Sequence, residues 1–90
     1  LLISLLDFYK EHSGFYLALY RAGLSDMLLQ TLLEQSEITP ELPNALAYLK
    51  SSIAYMLYGW IVEWMKRGMP ESGTELARMI ADSQNTGTKP

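Results

Sequence analysis

The chain has 90 residues, a formal net charge of −3 and no cysteine, with 49% hydrophobic and 19% charged residues. That balance belongs to a chain that builds a core, and the missing cysteines exclude disulfides, thiolate metal sites and cysteine nucleophiles together. Its seven Lys and Arg form no cluster, so phosphate neutralisation is beyond these residues and any contact with DNA would be made by another part of a longer chain.

The chain opens at Leu1 inside an apolar run without an initiator Met, which reads as a piece of something longer. A secretion signal is not expected, because no basic region precedes the run and Asp7, Lys10 and Glu11 follow it at once. Leu2, Leu5, Leu6 and Tyr9 recur at the spacing of one helix face. Ser13 and Gly14 break that run, with Ser13 the expected N-cap of a short second helix carrying Phe15, Tyr16, Leu19 and Tyr20. Gly23 ends it. A third helix opens at Leu24 or Ser25 and carries Leu28, Leu29, Leu32 and Leu33 as its stripe.

Thr39-Pro40 and Leu42-Pro43 then make residues 36–43 a loop, since a residue before proline avoids helical angles. The longest helix is predicted from about Asn44 to Arg67, stopped by Gly68 and Pro70. Ser72-Gly73-Thr74-Glu75 reads as a capping box before a last helix striped by Leu76, Met79 and Ile80. Residues 83–90 are polar and read as a flexible tail, leaving a domain over 1–82. Nothing alternates like a strand. The fold class is all-α, a five-helix bundle.

At 100° per residue Leu46, Leu49, Ile53, Leu57, Trp60 and Trp64 share one face of the long helix, the expected core face. The opposite side is not polar: Ala45, Ser52 and Gly59 recur every seven residues, flanked by Tyr48, Tyr55 and Val62. A helix apolar nearly all round needs cover nearly all round, and so small a domain supplies it most easily with a second copy. Small residues such as Ser52 and Gly59 admit a close neighbour, either that copy or another helix of the same chain. The expected homodimer seam is Ser52, Tyr55, Gly59, Val62, Leu76, Met79 and Ile80. The long helix's uncharged stretch, Ser51 to Val62, falls short of the ~20 residues that cross a bilayer, so no membrane contact is expected and the expected location is cytoplasmic.

The run Tyr55–Met69, with Gly59, Trp64 and Lys66-Arg67-Gly68-Met69, followed by Pro70-Glu71-Ser72 and Glu75-Leu76-Ala77, resembles the C-terminal regulatory domain of TetR-family transcription regulators. The opening Leu1–Tyr9 with Glu11-His12 and Phe15-Tyr16 looks like the class related to dihydroxyacetone-kinase operon regulators. The resemblance spans roughly residues 1–82. It implies a sensor and homodimerisation domain lacking its N-terminal helix-turn-helix, which would be the only part touching DNA. It also implies a pocket for a small apolar or aromatic effector, expected among Tyr9, Tyr16, Tyr20, Tyr55, Met56 and Trp60. No cofactor and no catalysis are expected: His12, the single histidine, reads as a helix-terminal residue, and no serine sits in a nucleophile elbow. A second reading is a protein-binding helical module acting through a partner protein instead of a metabolite.

Overall fold

A computed structural model describes residues 1–86, and five helices make up the fold of those residues: α1 Leu2–Glu11, α2 Ser13–Arg21, α3 Asp26–Gln35, α4 Asn44–Lys66 and α5 Gly73–Thr86. Among the described residues there is no strand. α1 lies against α5, while α2 and α3 both pack on α4, and α1 also touches α2. Two corrections concern helix ends. Ser13 is the first residue of α2 and makes no side-chain cap. The last helix runs on through residues 83–86, which the sequence reading placed in a tail; the rest of that expected tail, 87–90, lies outside the described residues.

The remaining ends follow their residue types. At the close of α4 the Gly68 amide donates to the Met65 carbonyl and the Met69 amide to the Trp64 carbonyl, the paired bonds of a Schellman turn. The turn places Gly68 at φ +87°, where a Cβ is strained. Gly23, at φ +75°, ends α2 with the same pair of bonds to Tyr20 and Leu19. Met69 follows Gly68 at φ +54°, a conformation a non-glycine residue adopts only when its surroundings compel it. Two contacts compel it here. The Met69 side chain is fully buried, and its carbonyl accepts a hydrogen bond from the Lys10 ammonium on α1.

α5 starts with the expected box. The Ser72 amide donates to the Glu75 carboxylate at 2.8 Å and the Glu75 amide to the Ser72 hydroxyl at 3.1 Å. Hydrogen bonding to the carboxyl by the Ser72 amide, and then by the Ser72 hydroxyl, holds Glu75 below its ordinary range. The folded state therefore favours the ionised form, and its contribution is present above the ordinary carboxylate pKa and lost as pH falls through the depressed one. Ser72→Ala should cost about 1 kcal/mol at neutral pH. Glu75→Gln should lower the melting temperature at pH 7, with the gap to the native chain closing below about pH 4. A gap that stays constant in acid would remove the carboxylate from the account.

The core joins Leu6 and Tyr9 of α1, Leu28 and Leu32 of α3, Ala54, Ile61, Trp64 and Met65 of α4, and Leu76, Ala77 and Ile80 of α5, with Met69 from the turn. The Trp64 indole N–H is satisfied by the Glu71 carbonyl at 3.2 Å. The buried side of α4 differs from the expected one. Ala54, Ile61 and Met65 face inward, with Leu57 and Tyr58 beside them, whereas Leu46, Leu49 and Ile53 are exposed. Of the stripe expected in the core, only Trp64 is fully covered. Ala47 and Ala54 line the inward side, and small residues there let α2 and α3 lie close. Lys50 also turns inward, donating to the Ser36 carbonyl at the end of α3 at 3.0 Å. Over this N-terminal half of α4 the larger side chains Leu46, Leu49 and Ile53 are left outside.

Candidate functional site

The residues expected around an effector fall into two places. Tyr9, Tyr16 and Tyr20 belong to the α1–α2 side. There Tyr9 is buried and meets the half-buried Tyr16 edge-on, with ring centroids 4.7 Å apart. Phe8, half exposed, extends the cluster to His12 at 4.4 Å, and Phe15 packs on Tyr16 at 5.1 Å. Burial pushes the Tyr9 phenol above its ordinary value, and neighbouring Tyr16 adds to the rise; burial also raises Tyr16. Both rings therefore stay neutral through the physiological range and present an aromatic wall with two hydroxyls.

A raised phenol makes its contribution to stability below the ordinary tyrosine pKa and loses it as pH climbs through the folded one. The melting temperature of the native chain should consequently fall faster above about pH 10 than that of Tyr9→Phe. Parallel curves for the two proteins would rule out Tyr9 as the group responsible.

Tyr55, Met56 and Trp60 stand on the outside of α4. With Gly59 and Glu63 they line a solvent-open groove of about 380 Å³. A smaller cleft of about 130 Å³ continues from Trp60 and Glu63 to Met79 on α5. α5 runs back along this side of α4, and its Gln84 amide donates to the Met56 sulfur at 3.3 Å. Glu63 is paired with Arg67 at 2.9 Å, four residues on, an exposed pair worth a few tenths of a kcal/mol. A third hollow, lined by Leu1, Leu2, Ser4, Leu5 and Gln35, lies between the start of α1 and the end of α3.

The expected seam residues also separate. Ser52, Tyr55, Gly59 and Met79 are exposed and Val62 is half-buried. Leu76 and Ile80 are only 3% and 4% exposed, already taken into the core of their own chain, so they have little surface left to give another molecule. Leu46, Leu49 and Ile53 are the exposed residues that the sequence reading had assigned to the core. Leu49 belongs to the spacing 45, 49, 52, 56, 59, 63, whose alternating steps of four and three mark a helix seam, and Leu46 and Ile53 each stand one residue beyond a member of it.

Among the described residues no group of three or more His, Cys, Asp or Glu side chains stands close enough to hold a metal. No helix of the described residues is long and apolar enough to cross a membrane. The chemistry on offer is recognition by apolar and aromatic surface, one face turned inward at α1–α2 and one turned outward at α4.

A TetR-type family model, described as a transcriptional regulator C-terminal region, matches residues 1–86. No curated protein and no solved structure gives a significant match.

Proposed function

Because this chain belongs to the TetR-type transcriptional regulator C-terminal family, we propose that it is the effector-sensing and homodimerising domain of a bacterial transcription regulator. A small apolar or aromatic molecule would bind beside Tyr9, Tyr16 and Tyr20 and favour one arrangement of the dimer. That arrangement would set the spacing of DNA-binding headpieces contributed by sequence outside these 90 residues, since half-sites lie about one DNA turn apart. The domain would act in the cytoplasm and carry out no catalysis. An effector works here only through unequal affinity for the two arrangements.

The observation that carries the reading is the open half of α4, lined from Ala45 to Trp60 by apolar and small residues in a chain of this family. Effector binding is tested by thermal shift with a broad panel of apolar and aromatic compounds. At a hundred times its dissociation constant a true effector stabilises by about 2.7 kcal/mol, a rise of several degrees that Tyr16→Ala should abolish relative to its own baseline. Silence across the panel would remove the sensor half of the proposal.

The alternative, action through a partner protein, draws on Phe8 and Phe15, 50% and 64% exposed on α1 and α2. It is favoured if Phe8→Ser and Phe15→Ser abolish regulation by the full-length protein in cells while leaving its dimer and every thermal shift unchanged.

A further inference from the structure

The close of α4 and the start of α5 build a cleft apart from the tyrosine cluster of α1 and α2. Trp60, Glu63, Trp64 and Arg67 stand at i, i+3, i+4 and i+7, on one face of the C-terminal end of α4. The glycine turn at Gly68 then reverses the chain. It brings the Glu71 carbonyl to the Trp64 indole N–H, which donates to it at 3.2 Å and fixes Glu71 beside that ring. Leu76 and Met79, three residues apart on α5, line the other side. The cleft holds about 130 Å³, the share of about four liquid waters at roughly 30 Å³ each.

Its charges do not cancel. Glu63 is paired with Arg67 at 2.9 Å, so the guanidinium is already compensated. The Glu71 side chain is half-buried, and among the described residues its carboxylate has neither an ion pair nor a hydrogen bond. A carboxylate drawn partly out of water without a partner favours a cation beside it. The walls favour the same charge. Indole is the aromatic ring that holds a cation best, and the Met79 thioether is polarisable. A metal ion is poorly served here, since among the described residues no group of three or more His, Cys, Asp or Glu side chains could hold one. The cation that suits these walls carries its charge on a nitrogen clothed in carbon.

We propose that this cleft binds a small organic cation, a quaternary or methylated ammonium group, with the indoles of Trp60 and Trp64 against its methyls and the Glu71 carboxylate as its counter-charge. The site goes beyond the sensor reading above. Tyr9, Tyr16 and Tyr20 lie on the α1–α2 side, where Tyr9 and Tyr16 stay neutral and select no charge. An anion is the poorer occupant, because the one guanidinium in the lining is matched by Glu63. Glu63, Trp64, Arg67 and Glu71 also lie beyond the stretch from Ala45 to Trp60 whose cover the homodimer reading requires, which leaves the cation an approach from the Arg67 end.

Choline chloride is the probe, titrated into the whole chain at constant ionic strength while the proton resonances of its two indole N–H groups are followed. The Trp60 resonance should shift and saturate at millimolar choline. Dimethylbutanol, in which carbon replaces the charged nitrogen, should bind roughly tenfold more weakly. Glu71→Gln alters a side chain with no partner of its own, so it should keep the native melting temperature and weaken choline by a similar factor. Tyr16→Ala should leave choline binding unchanged, which separates this site from the effector site proposed above. Equal binding of choline and dimethylbutanol would reduce the cleft to an apolar hollow. Binding of benzoate in place of choline would make it an anion site on Arg67. Either result, no saturable shift with choline, or full affinity in Glu71→Gln would overturn the proposal. None of these outcomes bears on homodimerisation or on an effector at Tyr16.

Discussion

Gly73→Ala should lower the melting temperature by roughly 15 °C, the largest effect expected from adding a single methyl group. Gly73 is the first residue of α5 and lies where that helix crosses α1. A Cβ built there would stand 2.7 Å from the Leu6 carbonyl carbon and closer still to the Asp7 amide nitrogen and carboxylate. Two of those three obstacles are helix backbone, which cannot rotate aside as a side-chain end does. The two helices must separate, and Leu6, fully buried in the core, moves with them. Overpacking of this kind costs about 3 kcal/mol at the upper end of its usual range, against a total of about 5–13 kcal/mol for a domain this size. Gly14→Ala is the control. Its added methyl would meet nothing within 4 Å, and alanine in a helix is favoured by about 0.5–1 kcal/mol, so that variant should melt at or above the native temperature. If scanning calorimetry finds the two variants equally stable, the α1–α5 crossing has been misplaced.

Gly59→Leu should give a folded monomer. A Cβ added at Gly59 meets nothing within 4 Å in its own chain, so the position opens outward, and leucine is the better helix former by close to 1 kcal/mol. The damage falls on the second copy, whose approach the glycine admits. A two-fold repeats the clash, and at about 1–3 kcal/mol for each the dissociation constant should rise roughly thirtyfold or more. Helical circular dichroism should remain, while the sedimentation coefficient falls to the monomer value and the melting temperature stops depending on protein concentration. Unfolding of the variant at all concentrations would mean that Gly59 faces something inside its own chain.

The sequence was most legible where chemistry is local. Gly23 and Gly68 announced left-handed turns because only glycine enters them freely, and Ser72 with Glu75 announced a helix start because their side chains reach each other's amides. The orientation of α4 was harder to read. Leu46, Leu49 and Ile53 form as good an apolar stripe as Ala47, Ala54 and Ile61, and periodicity counts apolar residues without weighing how closely a neighbouring helix can come. In the fold the small residues won the inside, because α2 and α3 both lie against that side. The end of α5 was missed for a related reason. Ser83, Gln84, Asn85 and Thr86 are polar and carry no stripe, yet the helix continues through them, with the Ser83 hydroxyl bonded to the Ile80 carbonyl and Gln84 reaching Met56. Ser52 and Gly59 were placed on an outer face of α4 by their size and spacing, and the fold leaves both exposed. Leu76 and Ile80 were assigned to it because an apolar stripe does not say which of its members another helix of the same chain already covers.

The account turns on whether the open face of α4 is covered by a second copy, and sedimentation velocity over a wide concentration range tests this most directly. A single species of twice the monomer mass should persist down to low micromolar concentration, with Gly59→Leu at the monomer mass under the same conditions. A native chain that sediments as a monomer at every concentration would contradict the account.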